Sequence, residues 1–399
     1  MPAPDDRSAT LASARTWQAP SARSIVTAYL ARAGVLVDGE RPWDIRVHDD
    51  RVFRRLLLNG SLAFGETYME GAWDCDDLPD LVYRILCWRQ TDGRWFSRLN
   101  LSHAIARLKR RVVNLQSKAR AREVVAAHYD LHPALFEAML GETMAYTCGY
   151  WSNATTLDAA QHDKLDLICR KLRLQPGDRV LDLGCGFGAF ARHAARRYGA
   201  TVVGVNLSSV QTAVARRLCA GLPVEFCECD YRDIDRYFDG TPFDSVVSIG
   251  MFEAVGRRHF RTYMRIVDTV LKDQGLFLLH TIGDDECSAD PFSLKYIFPN
   301  GELPALDQIV DAARGLFQIQ DVHNFGFDYT PTALAWRDRF QSRWPEIRAH
   351  APAVFTDRFF RMWMYFLSCA AAAFRAGNMQ LWQILMSKGR LSATYRSVR

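Results

Sequence analysis

The sequence lacks any Cys-x-x-Cys pair, although it holds ten cysteines in 399 residues. These stand at positions 75, 87, 148, 169, 185, 219, 227, 229, 287 and 369 without regular spacing. That scatter argues against a disulfide framework and against a zinc site, and most of the thiols read as small buried apolar groups. Cys227 and Cys229 alternate along an expected strand, so both face one side as ordinary core, and no metal is expected there. Long apolar runs are missing too. The longest, MWMYFLSCAAAAF at Met362 to Phe374, falls short of the ~18–20 residues that cross a bilayer and reads as a buried helix. The first residues, MPAPDDRSATLASAR, carry two aspartates where an export signal needs positive charge, and no apolar stretch follows, so a cytoplasmic location is expected. Internal repeats and low-complexity tracts are absent. The net charge of +5 is mild, and no nucleic-acid partner is expected from it.

What charge there is, is concentrated. Leu101 to Arg120 holds Arg107, Lys109, Arg110, Arg111, Lys118 and Arg120 with no acidic residue. Leu101, Ile105, Leu108, Val112 and Leu115 step by four and three, so they form one stripe of an amphipathic helix with the cations elsewhere. Two readings stay open: a connecting helix packed between domains, or a surface helix drawn to anionic phospholipid headgroups at ~1 kcal/mol per cation. With 49% hydrophobic residues the chain can bury one large core and a smaller one. The expected division is a small N-terminal domain at 1–100, α/β or helical and serving lipid binding or dimerisation. A basic linker follows at 101–122, and a catalytic domain at 123–399.

In the catalytic part, Arg179 to Leu183, Thr201 to Val205, Val224 to Cys229, Phe243 to Ile249 and Gly275 to His280 are short apolar runs separated by amphipathic stretches of helix length. That alternation predicts βαβ units around a parallel sheet, an α/β fold. The first run ends in VLDLGCGFGAF, placing Asp182, Gly184, Gly186 and Gly188 before a helix over Ala189 to Tyr198. Such a turn lets a ligand lie against bare backbone with helix N–H groups facing it. A dinucleotide fold uses G-x-G-x-x-G; here the spacing is G-x-G-x-G with an aspartate two residues upstream. This resembles the signature of S-adenosylmethionine (SAM) methyltransferases, which implies a Rossmann-like, mostly parallel seven-stranded sheet flanked by helices. The resemblance further assigns the ribose to Asn206, where an acidic residue is usual, together with Gln211, and the adenine to Asp230 and Tyr231. Tyr146 and Thr147 join the same cofactor set.

AHYDLHPALFEAML, AYTCGYW, VLDLGCGFG, SIGMFEAVG, FLLHTIG, YIFPNGELP, NFGFDY and LWQILMSKG occur in order, with GETYMEGAWDC ahead of them. Together they resemble the cyclopropane-fatty-acyl-phospholipid synthase family over about residues 60–390. The resemblance implies a bicarbonate ion held by Cys148, Glu253, His280, the main chain of Ile282, and Tyr329, and it makes Cys369 a further, weaker candidate. Taken singly, each has a duller reading: a helix cap for Glu253, a core histidine for His280, a packing tyrosine and an inert thiol for the others. Two positions depart from the usual pattern: Ala254 stands where histidine is common, and Phe187 where tryptophan is frequent. The first puts in doubt any proton shuttle through that histidine.

The implied chemistry is coherent. An alkene can take the sulfonium methyl of SAM without a protein nucleophile, and the resulting carbocation closes to a ring only if a base removes a proton in a dry pocket. Tyr146, Tyr150, Trp151 and Phe252 are expected to offer ring faces to the cation. Phe292, Tyr296, Ile297 and Phe298 are expected to wall an acyl tunnel. The expected substrate is an unsaturated phospholipid in the bilayer, reached by peripheral association with the inner leaflet, and a homodimer is implied. The competing expectations are a methylene- or methyl-branched lipid product, a small-molecule acceptor, and a non-catalytic SAM- or membrane-binding adaptor.

Overall fold

The computed structural model describes residues 20–91, 132–237, 240–284, 290–299 and 301–399, so the basic segment expected at 101–122 lies outside the described residues. The N-terminal part is helical with a minimal ladder. Helix α1 (Ala22–Arg32) starts at Ser21, whose hydroxyl accepts the Ser24 amide at 3.1 Å. Strand β1 (Arg46–Val47) pairs antiparallel with β2 (Trp73–Asp74). Between them α2 (Arg51–Met69) is broken at Gly60, whose φ of 52° and ψ of −128° only glycine adopts readily. Helix α3 (Leu78–Thr91) follows.

These helices share one apolar core with the second half of the chain. Leu30, Phe53, Trp73 and Leu81 belong to the same buried cluster as Phe136, Phe340, Trp363 and Phe374. Burying each such side chain contributes roughly 1.5–3 kcal/mol. Polar ties reinforce the join: Arg361 Nη2 donates to Asp74 Oδ1 at 2.7 Å, and Glu66 Oε1 accepts from both Lys295 Nζ at 2.6 Å and Tyr296 Oη at 2.9 Å.

The main sheet is built from β3 (Arg179–Leu183), β4 (Thr201–Asn206), β5 (Val224–Glu228), β6 (Phe243–Ile249), β7 (Leu271–Gly283), β8 (Phe317–Asn324) and β9 (Gln380–Lys388). Its order is β5-β4-β3-β6-β7-β9-β8. β9 is antiparallel to β7 and β8 and the other pairs are parallel. The parallel strands are apolar on both faces because helices cover both, giving two further cores, one on Leu181, Val246 and Phe277 and the other on Val180, Val202 and Val247. β7 is longer than its apolar run; it begins at Leu271 and passes Gln274 with a φ of 61°.

The order reverses between β3 and β6, so their carboxyl ends open a crevice where α/β folds bind ligands. Register places Asp182 beside Gly204 and Ile249 beside His280, which brings the ends of β3, β4, β6 and β7 to one edge.

Candidate active site

From β3 the chain turns through Gly184, Gly186 and Gly188, all at positive φ, into the helix Ala189–Tyr198. At Gly184 a side chain is excluded twice, by a φ of 80° and because its Cβ would lie 2.6 Å from the Cβ of Met251. At Gly186, φ 53°, an added Cβ meets nothing within 4 Å, so this residue faces open space. That space is a cavity of about 1120 Å³, lined at one end by the turn and at the other by Tyr29, Leu56, Phe64 and Leu86 of the N-terminal helices. Gly188 does not line it; it caps the helix and packs near Phe226 and Ala215.

Tyr146, Thr147, Asp182, Gly184, Gly186, Asn206, Gln211, Asp230 and Tyr231 all line this cavity. Asn206 Nδ2 donates to Gln211 Oε1 at 3.0 Å, so these two amides form one unit. Asp230 accepts from the Arg232 amide at 2.9 Å and from Arg232 Nε at 2.7 Å, which makes it both a cap and an ion-pair partner within its own loop. Asp182 is 2% exposed and its Oδ2 has no hydrogen-bond partner. Burial pushes its carboxyl up to about 7, partly offset by the Lys164 ammonium.

Glu253, His280, Ile282 and Tyr329 line the same cavity. Glu253 follows β6 in a short 3₁₀ turn, and its Oε1 accepts the Ile282 amide at 2.6 Å while its buried Oε2 has no partner. The single proton of the Ile282 amide is therefore committed to Glu253. Burial raises the Glu253 carboxyl to about 7. His280 is fully buried on β7, and burial first, then the nearby Lys164 and Lys171, hold its ring neutral. Gln383 Nε2 lies 3.3 Å from His280 Nδ1. With the amide nitrogen turned to Nδ1, the neutral ring carries its proton on Nε2, a buried atom with no partner. Tyr329 stacks on Phe374 with ring centroids 4.3 Å apart.

Cys148 lies behind this wall and does not line the cavity. Its Sγ donates to the Gly149 carbonyl at 3.2 Å and lies 3.9 Å from Thr332 Oγ1, and burial raises its thiol well above the ordinary range. Cys369 does line the cavity, from the helix Asp357–Arg375, with its thiol likewise raised by burial. Burial thus disfavours the thiolate form of both sulfurs.

Several aromatic expectations are corrected. Phe252 packs on Phe260 and Tyr263 in the core under the sheet, Tyr150 packs on His323 and Phe325, and Trp151 donates to Thr332 Oγ1, so of the four rings only Tyr146 reaches the cavity. Of the expected tunnel wall only Phe298 lines it. Phe292 and Ile297 are buried in core, and Tyr296 is turned to Glu66. Rings from further along, Tyr365, Phe366 and Phe374, take their place. The motifs in the sequence do not single out Gln161, Lys164 or Gln383. The first two sit on the buried stripe of the helix Leu157–Lys171 with Leu157, Ala160, Leu165 and Ile168, and polar residues on such a stripe are the signal that marks them.

A doubly wound sheet whose first turn opens a ligand cavity over Asp182, Asn206 and Asp230 defines the class: a SAM-dependent methyltransferase fold. Comparison with known proteins narrows this. Residues 116–384 match the family described as mycolic acid cyclopropane synthetase. Cyclopropane-fatty-acyl-phospholipid synthase of Escherichia coli (strain K12) is 44% identical over 370 residues, covering 92% of this chain and 93% of that protein. Among solved structures, the cyclopropane synthase MmaA2 from Mycobacterium tuberculosis superposes with a TM-score of 0.62 at 27% identity, covering 69% of this chain and all of that one. Mycolic acid cyclopropane synthase CmaA1, complexed with SAH and CTAB, gives 0.60 at 30% identity over 67% and 98%. The chain belongs to the mycolic acid cyclopropane synthetase family.

Proposed function

We propose that this protein transfers a methyl group from SAM to a cis double bond in the acyl chain of a phospholipid and closes a cyclopropane ring there. The observation that carries the reading is a single cavity that joins the glycine turn, the unpartnered Glu253 Oε2 and His280 Nε2, and a distant apolar wall.

SAM, when bound, supplies an electrophilic methyl group on sulfur. The π pair of the alkene takes that carbon directly, consistent with thiols that burial keeps protonated. What remains for the chain's own residues is to protect the carbocation and remove one proton from the new methyl group, the C–H electron pair forming the last ring bond. Apolar walls exclude water, and Tyr146, Tyr329 and Phe374 offer ring faces along the cavity. Glu253, balanced near neutrality, is the residue that ends with the proton, at Oε2. Ile282 steadies that carboxylate through Oε1. Bicarbonate, when bound, supplies a small base. The donor at His280 Nε2 and the acceptor at Glu253 Oε2 suit its oxygens and its hydroxyl, with Tyr329 on the same cavity, whereas Cys148 joins only if its thiol turns away from Gly149.

The substrate reading extends to the bilayer. No described helix is long and apolar enough to cross a membrane. Leu57 and Leu58 stand 38% and 63% exposed on α2 where it borders the cavity, which supports peripheral contact with the inner leaflet. The homodimer belongs to the same proposal and is read by sedimentation. Unsaturated phospholipid vesicles with SAM and protein test the function: lipid heavier by one CH₂ without an alkene signal supports it, and binding without product supports an adaptor instead. A second reading rests on Ala254, which leaves the cavity wall beside Glu253 without a polar group. A 1,2-hydride shift there, which carries the cation onto the methylated carbon, followed by loss of a proton from the added methyl group, gives a methylene branch, seen as the same mass gain with the unsaturation retained.

A further inference from the structure

Lys164 is 1% exposed and fully side-chain buried on the helix Leu157–Lys171, with no acidic side chain in ion-pair contact among the described residues. Its Nζ donates to Thr147 Oγ1 at 2.7 Å. One turn earlier on the same buried stripe, Gln161 Nε2 donates to the Thr147 carbonyl at 2.7 Å. Two buried polar side chains thus grip a single threonine. A buried ammonium costs several kcal/mol to desolvate, a cost that the attraction of Asp182 offsets only in part, so this cation is expensive as a mere brace.

The hydrogen-bond chemistry has a consequence. An ammonium carries three protons and no lone pair, so Thr147 Oγ1 is obliged to accept, and its own proton is turned elsewhere. Thr147, Lys164 and Asp182 all line the cavity at the glycine-turn end, and Asp182 Oδ2 is buried without a partner. That end therefore presents a hydroxyl donor backed by a fixed cation together with an unsatisfied carboxylate. A zwitterionic α-amino acid is the complementary ligand: its carboxylate to the Thr147 hydroxyl and the Lys164 charge, its ammonium to Asp182.

We propose that Lys164 is a positioning residue for the cofactor, holding Thr147 as a donor to the α-carboxylate at the amino-acid end of SAM and S-adenosylhomocysteine. This rests on the SAM reading given above. Gln161 fixes the Thr147 main chain so that the hydroxyl is presented at a constant place.

The test compares two ligands by calorimetry on the full-length protein: S-adenosylhomocysteine, and methylthioadenosine, which keeps the adenosine and sulfur but lacks the amino-acid end. Lys164→Met is expected to weaken S-adenosylhomocysteine roughly tenfold to a hundredfold, the range of a lost charge-assisted contact, and to leave methylthioadenosine nearly unchanged. Thr147→Val should show the same selective loss, and the double variant should be no weaker than either single one. If both ligands weaken together, Lys164 is a structural brace and the proposal falls; if neither weakens, it falls as well. Should Lys164→Met not fold, Lys164→Gln, which keeps a donor but drops the charge, repeats the comparison with an intermediate selective loss expected and an equal loss of both ligands overturning the proposal. A wild-type protein that binds neither ligand would instead overturn the SAM reading itself.

Discussion

Glu253 Oε1 accepts the main-chain amide of Ile282 at 2.6 Å, so one carboxylate oxygen is anchored by the end of β7 while the other is buried without a hydrogen-bond partner. That asymmetry lets the carboxylate be held in place and still take a proton.

Glu253→Gln keeps the shape and the Oε1 contact but removes the proton acceptor. Turnover should fall by roughly 10²–10⁴-fold with SAM affinity unchanged, measured by single-turnover mass analysis of lipid and by calorimetry. Wild-type turnover in this variant would remove Glu253 from the chemistry.

The same substitution should stabilise the fold. Burial raises the Glu253 pKa from its ordinary 4.5 to about 7, so the folded state prefers the protonated form. Its favourable contribution is complete below the unfolded value and is lost as pH rises through about 7. Glu253→Gln should therefore gain at most about 3 kcal/mol over wild type in alkaline buffer and nothing in acid, read from denaturant unfolding at both. An equal difference at both pH values would contradict the buried-charge argument.

Activity runs in the opposite sense. Glu253 and Asp182, both near 7, must be carboxylates, while Lys164, lowered by burial to about 8, must stay charged. The kcat/KM profile should rise through about 7 and decline above about 8, because kcat/KM reports groups of the free enzyme. A profile that climbs steadily into alkali would leave Lys164 without a role.

Much of this arrangement is legible in the residues alone. The runs RVLDL and FDSVVSI are strands from their first residue to their last, because apolar strands buried on both faces announce themselves. The glycine turn is legible because positive φ leaves few residues to choose from. The placement of β9 between β7 and β8 is not, since nothing local in Gln380–Lys388 says which strands it joins. Nor is the direction of the Phe252 ring, which depends on which side of a 3₁₀ turn meets the core. Lys164 is marked only by its place on a buried helical stripe that also carries Gln161 and Lys171, a signal that no quoted motif contains.

Gly186→Ala separates folding from binding. The new methyl group has no protein neighbour within 4 Å, so its cost is the left-handed backbone, ~1–2 kcal/mol, but it occupies the space the cofactor needs. Thermal unfolding should change modestly while SAM binding is lost. Gly184→Ala, colliding with Met251, should damage both.

Ile85→Trp on α3 narrows the apolar end of the cavity far from the glycine turn. KM for long-chain phospholipid should rise, with short-chain lipid and SAM affinity little affected. Uniform loss across chain lengths would deny α3 a part in holding the hydrocarbon.

The broken helix α2 and its neighbours wall the end of the cavity furthest along the chain from the residues that handle protons and methyl groups. A substitution within the first ninety or so positions can therefore reshape that end of the cavity without touching Glu253, His280 or the glycine turn.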